Sequence, residues 1–158
     1  MRIPVRPLLA AAMALAAVLF TRRASAVIAI DLTTNSNLGF GRIVATATAG
    51  TVTVSPLGGL TSSGGVVMGN AFGASAASYS VSGQPNAGYS ITLPSSCTLS
   101  GGGSSMTADG FLSNPASGQS LIGPGGTGSF SLGATLHVGA SQRSAPYSGA
   151  YALTVAYD

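Results

Sequence analysis

The 158-residue sequence has very few charged or chemically reactive side chains. It contains no lysine, glutamate or tryptophan, and it has one cysteine, one histidine and three aspartates. Charged residues make up 6% of the chain, against roughly 25% in an average soluble domain. Because general acid–base and nucleophilic catalysis need titratable groups, this scarcity argues against most enzyme classes.

The few reactive residues do not form a recognised catalytic or metal-binding motif. A carboxylate pair for glycoside hydrolysis would have to come from Asp31 and Asp109, and a Ser-His-Asp triad from His137 and Asp109. No Gly-x-Ser-x-Gly elbow accompanies them, and His137 and Cys97 lack the ligand spacing of a zinc site. We therefore predict no catalytic residue, no metal ligand and no cofactor.

A glycine-rich stretch at residues 123–128 matches the G-x-G-x-x-G pattern of dinucleotide-binding proteins only formally. That fingerprint needs a preceding strand and a following helix, whereas an alternating strand pattern follows here. We interpret the stretch as a loop that binds no cofactor.

The first 26 residues have the three parts of a secretory signal peptide. Arg2 and Arg6 precede an uninterrupted apolar run, Leu8 to Phe20, and Ala24-Ser25-Ala26 is a small-x-small cleavage site. The alternative, a membrane anchor, would need a run of roughly 18–20 apolar residues. We expect cleavage, export through the periplasm, and a secreted or cell-surface protein with no membrane segment.

Removing residues 1–26 changes the charge argument. Two arginines, Arg42 and Arg143, then face three aspartates, for a net charge of −1. Most of the positive charge of the whole chain lies in the predicted signal peptide. It therefore does not indicate a nucleic-acid partner for the mature protein. With so little charge, the surface offers little electrostatic resistance to self-association.

Both ends of the mature chain have the period-two alternation of half-buried β-strands. At the N-terminus, residues 27–33 place Val27, Ile28, Ile30 and Leu32 in an apolar strand, and residues 34–37 predict a turn or hinge. At the C-terminus, residues 147–158 are expected to form a closing strand. Its predicted core face consists of Tyr147, Tyr151, Leu153, Val155 and Tyr157.

Short alternating runs bounded by glycine, proline or asparagine fill the region between these ends. We predict about eight to ten strands and no helix apart from the signal peptide, with Gly133 marking a bulge or bend. One domain, residues 38–158, is expected to form an all-β, antiparallel, immunoglobulin-like sandwich, with a closed barrel as the alternative. The predicted strands are 38–47, 51–55, 65–68, 78–82, 89–93, 106–112 and 130–138.

Several segments, in this order, resemble a bacterial secreted family catalogued as domain of unknown function 4402 (DUF4402). The resemblance rests on LGFGRI at 38–43, GTVTVSP at 50–56, GQPNAGYSITLP at 83–94, GATLHV at 133–138, and YSGAY with the strand through Tyr157. The family is similar, more distantly, to spore coat protein U and to chaperone–usher fimbrial subunits. That similarity implies an incomplete sandwich filled by the N-terminal strand of a neighbouring subunit.

We therefore expect a non-enzymatic structural subunit of a bacterial surface appendage or coat that polymerises by donor-strand exchange. Its partners would be other copies, other surface subunits or a periplasmic chaperone. One alternative is that residues 27–33 are simply the first strand of a self-contained sandwich. Others are an adhesin that binds a glycan or host protein and, remotely, a hydrolase using Asp31 and Asp109.

Overall fold

A computed structural model describes residues 28–69, 73–118 and 120–158. The expected signal peptide and Val27 lie outside these ranges. The described residues confirm the all-β prediction and contain no helix, so no helix there could cross a membrane. The strands are β1 (Asp31–Ser36), β2 (Gly39–Phe40), β3 (Ile43–Val54), β4 (Leu60–Met68), β5 (Ala74–Ser75), β6 (Ala77–Ser82), β7 (Gly88–Thr92), β8 (Ser96–Gly101), β9 (Ser104–Asn114), β10 (Ser120–Leu121), β11 (Thr127–Val138) and β12 (Thr154–Tyr157).

The long strand β11 organises a curled antiparallel sheet of seven strands. One of its edges pairs with β6 over residues 127–132 and with β3 over residues 134–138. Its other edge pairs with β9. Strands β1, β4 and β8 extend the sheet outwards from β6, β3 and β9 respectively.

Gly133 lies where β11 changes partner. The register with β9 shifts between Gly133 and Thr135, which confirms the predicted bulge. A side chain at this position would collide with the Val54 carbonyl oxygen and with the backbone of Ser55 and Pro56. Glycine therefore permits the close backbone approach that lets one strand serve both halves of the sheet.

A smaller layer packs against the large sheet to form the sandwich. It consists of the three-stranded sheet β10-β7-β12, while β2 and β5 form a separate two-stranded pair. Tyr89 and Ile91 of β7 are buried against the apolar face of β6 and β11. Tyr79 and Phe130 stack there with ring centroids 5.1 Å apart. Alternation along each strand supplies this core, as the sequence predicts.

The N-terminal strand differs from its predicted bounds. β1 begins at Asp31 and continues through Ser36, so the expected hinge at 34–37 is largely strand. Its backbone pairs with β6 from Asp31–Ser82 to Ser36–Ser78, with an irregularity between Thr34 and Ser36. The hydrogen-bonding partner overrides the turn preference of this polar segment.

The described residues form twelve strands, more than the eight to ten predicted, and other predicted boundaries also change. β4 begins at Leu60 rather than at residue 65. β3 runs through Gly50 without a break, and β8 was not predicted at all. The sequence feature that could have indicated β8 is the Gly102-Gly103 pair. These two glycines, with φ values of 58° and 77°, form the two-residue turn between β8 and β9. Paired glycines between alternating segments are typical of such a hairpin.

The closing segment is only partly a strand. Regular pairing is confined to β12, which adds to β7 in the second layer. Before it, an isolated bridge joins Ser148 to Ser100 of β8. Exposure still alternates along residues 151–158, with odd positions half-buried and even positions exposed. The period-two pattern therefore predicted side-chain orientation correctly, although it overestimated the length of the strand.

Candidate functional site: the N-terminal edge strand

β1 is an edge strand held mainly through its backbone. In the described ranges, β6 is its only strand partner. Five of its six residues are exposed, and only Leu32 is half-buried. Ile30, just before the strand, is also half-buried against the core, whereas Ile28 is 54% exposed. The predicted assembly residues therefore lie at the edge of the sandwich, with Val27 outside the described chain.

The side-chain contacts of β1 are few and polar. The Asn35 amide donates to the Ser80 hydroxyl at 2.8 Å, and the hydroxyls of Ser36 and Ser78 are 3.0 Å apart. Both contacts are solvent-exposed, so each adds little beyond the hydrogen bonds that water would provide. The backbone ladder and the partial burial of Ile30 and Leu32 account for most of the attachment.

Tyr157 joins the closing strand to the N-terminal segment. Its hydroxyl donates to the Ile28 carbonyl oxygen at 2.7 Å and accepts from the Gln84 backbone N–H at 2.7 Å. Gly83 allows this approach, because a side chain there would collide with the hydroxyl. The sequence placed Tyr157 on the inner face but gave no signal for this bridge, since its partners are distant along the chain.

The other predicted core residues of the closing segment are half-buried. The hydroxyls of Tyr151 and Tyr79 are 2.6 Å apart, and the Tyr151 ring packs at 5.3 Å from that of Phe111. Burial, and then the hydrogen bond with Tyr79, raises the pKa of Tyr151 above its ordinary range. The Tyr147 hydroxyl donates to the Arg143 carbonyl oxygen at 2.8 Å. Leu153 and Val155 complete the face.

The structure brings His137 and Asp109 together on the outer face of the large sheet. His137 Nε2 lies 2.8 Å from Asp109 Oδ1, and the two side chains are 50% and 43% exposed. Within the described part of the chain, no serine hydroxyl hydrogen-bonds to either of them. The pair is therefore a solvated cross-strand contact rather than an assembled triad.

The two aspartates considered for hydrolysis are far apart. Asp31 aligns with Thr127 through Ser82, whereas Asp109 aligns with Thr135. Eight residues along β11 correspond to about 27 Å, far beyond the roughly 5–10 Å that separates glycosidase carboxylates. This geometry does not supply the carboxylate pair that the hydrolase alternative requires.

Around the His137–Asp109 pair, the outer face is rich in hydroxyl groups. Neighbouring residues of β4, β3, β11, β9 and β8 align in two rows, and aligned side chains share one face of a sheet. Hydroxyl pairs 2.8 Å apart link Thr53 to Thr135 and Thr51 to Ser63. The rows are Thr61, Thr53, Thr135, Asp109 and Ser96, and Ser63, Thr51, His137, Thr107 and Thr98.

Cys97 is a free, half-buried thiol that packs against the core. Burial raises the pKa of this thiol. A raised pKa lowers the fraction of reactive thiolate at neutral pH.

The fold and the order of the strand motifs along the sequence together define the class of protein. It is an all-β sandwich, and its sequence motifs extend over almost the whole described chain. The family model described as Domain of unknown function (DUF4402) matches residues 30–157, and the chain belongs to this family. No curated protein and no solved structure matches the chain.

Proposed function

We propose that this protein is a secreted, non-enzymatic structural subunit of a bacterial surface appendage or coat, and that copies associate by exchanging β1. The observation that carries the proposal is the attachment of β1. It is an edge strand with a regular backbone ladder to β6 and little buried side-chain surface. Such a strand can leave one sandwich and pair identically with another.

The exchanged form would re-form most of the interactions that are broken when β1 leaves its own sandwich. In the exchanged form, β1 of one copy would make the same ladder with β6 of the next, from Asp31–Ser82 to Ser36–Ser78. Opening costs the Tyr157–Ile28 hydrogen bond and the partial burial of Ile30 and Leu32 until the second copy restores them. Exchange of identical elements is therefore a low-cost route to association.

The charge of the chain supports association. Between residues 28 and 158 there are two arginines and three aspartates, so copies repel one another weakly. When β1 has left its sandwich and has not yet been replaced, the open edge of β6 would be prone to non-specific pairing. A periplasmic chaperone that caps this edge fits the same proposal.

Complementation by a peptide tests the exchange of β1. A chain of residues 38–158 lacks β1 and should regain stability on adding a peptide of residues 27–37, measured as a concentration-dependent rise in melting temperature. A peptide carrying Ile30→Asp and Leu32→Asp is the matched control and should have no effect. The proposal fails if residues 27–158 stay monomeric at high concentration and the peptide does not stabilise residues 38–158.

A glycan-binding module is the second candidate, and the hydroxyl-rich outer face favours it. Its two rows present eight hydroxyl side chains beside an exposed imidazole and carboxylate. These groups match the hydrogen-bonding needs of a sugar. A glycan array should then give a signal that is lost with Asp109→Ala plus His137→Ala and kept with Thr33→Ala on the opposite edge. An array without signal would reject this candidate.

A further inference from the structure

A groove opens at the end of the sandwich that the second sheet does not cover. It comprises two cavities of about 890 and 180 Å³ that share lining residues, including Ile43, Met106 and Tyr147. No residue of β7, β10 or β12 lines either cavity. The walls are the chain from Leu38 to Val44 and the segment from Ser144 to Tyr147.

The floor of the groove is the apolar core itself. Leu99 of β8, Met106 of β9 and Leu136 of β11 lie on neighbouring strands of the large sheet. Met106 and Leu136 are only 6% and 2% exposed, so the accessible apolar surface of the floor comes mainly from the half-buried Leu99. Sites for small ligands are typically concave, mostly apolar and about 300–1,000 Å³ in volume. The larger cavity lies within this range.

Both arginines that follow residue 26 line this groove. Arg42 lines the larger cavity and Arg143 the smaller one, and both are exposed. Neither takes part in the one ion pair formed among the described residues. The guanidinium group suits carboxylate and phosphate groups because it can donate paired hydrogen bonds to them. The two arginines of this sparsely charged chain that follow residue 26 thus line adjoining cavities.

The chain's own N-terminal strand does not account for this groove. β1 is paired with β6, and exchange between copies would place it on β6 of the partner. No residue of β1 or β6 lines the cavities. The lining of the groove suits an occupant with an anionic group and an apolar body.

We propose that the groove binds an amphiphile with one acyl chain and an anionic head. The chain would lie over Leu99, Met106 and Leu136, and a carboxylate or phosphate head would contact Arg42 and Arg143. This site is separate from the β1 edge, so it stands whether or not copies exchange β1.

Calorimetry tests the proposal on protein purified from cells that express the full sequence. The probes are dodecanoate and dodecyl phosphate below their micellar concentrations. Neutral dodecanol, cationic dodecyltrimethylammonium, butyrate and inorganic phosphate serve as controls. We expect one-to-one binding of an anionic probe, weaker binding of dodecanol, and none of the cation or the two short anions. A preference between the two anionic probes would distinguish a carboxylate head from a phosphate head.

Three variants assign the site. Arg42→Gln with Arg143→Gln should weaken anionic binding about three- to tenfold, because exposed charge contacts are individually modest, and the Lys pair should restore it. Val44→Trp, at an exposed lining position, should weaken binding of every acyl probe. The proposal is wrong if neither anionic probe binds, if the cation binds as well as the anions, or if the Gln pair retains full affinity.

Discussion

The bridge made by the Tyr157 hydroxyl predicts how firmly the N-terminal segment is held. Tyr157→Phe removes the donor to the Ile28 carbonyl oxygen and the acceptor from the Gln84 N–H, both at 2.7 Å, and leaves the ring in place. A net hydrogen bond contributes about 0.5–1.5 kcal/mol. Because water can reach both freed groups, we expect a loss of about 1 kcal/mol in total. For a domain of this size that corresponds to a decrease of about 3–5 °C in melting temperature.

Urea denaturation and hydrogen exchange measure this loss separately. The free energy of unfolding should fall by about 1 kcal/mol, and amide exchange should accelerate in residues 28–36 more than in β11. Size-exclusion chromatography should also give a larger fraction of associated protein, because β1 leaves its sandwich more easily. Tyr89→Phe is the control, since its hydroxyl makes no hydrogen bond with the described residues. If Tyr157→Phe is as stable as the wild type, the bridge does not hold the segment.

Three further predictions concern single positions. Gly133→Ala should lower the free energy of unfolding by about 3 kcal/mol or more, because the new side chain meets the β3 backbone. Gly125→Ala is the control: its side chain would enter open space, so its stability in urea denaturation should stay near that of the wild type. Leu32→Asp should lower the free energy of unfolding by about 1–2 kcal/mol, because it places a charge at a half-buried position. Thr33→Asp, at an exposed position, should lower it by less than about 0.5 kcal/mol. Equal losses would contradict the inward orientation of Leu32. Tyr151 should resist ionisation in an alkaline absorbance titration, because burial and the hydrogen bond with Tyr79 raise its pKa in the folded state. The stability that the neutral Tyr151 hydroxyl contributes is complete below the unfolded pKa of about 10 and is lost as the pH rises above it. Tyr151→Phe should therefore reduce the decline in the free energy of unfolding at alkaline pH. An unchanged decline would refute this.

The prediction about Gly133 separates two kinds of information in the sequence. A glycine inside an alternating strand already indicated a bulge or bend. Only the structure gives the reason, which is that β11 passes from β6 to β3 at this residue while its backbone approaches Val54. The sequence therefore located the irregularity, and the non-local contact explains it.

The Thr34–Asn37 segment illustrates the opposite case. Its composition is typical of a turn, yet most of it is strand because β6 offers backbone partners as far as Ser78. β8 was missed for a related reason, since Cys97 and Leu99 alternate with serine and threonine in a segment that is only weakly amphipathic. Pairing with β9 decides its structure.

Period-two alternation, scarce charge and frequent turn residues were enough to determine an all-β protein and the inward orientation of Tyr151, Leu153, Val155 and Tyr157. These properties are local, because a strand directs successive side chains to opposite faces whatever its partner. Tertiary structure alone decided the length and partner of β1, the His137–Asp109 contact and the Tyr157 bridge. It also placed Arg42 and Arg143, about a hundred residues apart, beside one groove. Each of these depends on which segments meet across the sheets, and strand pairing is set by backbone contacts between residues distant in the chain.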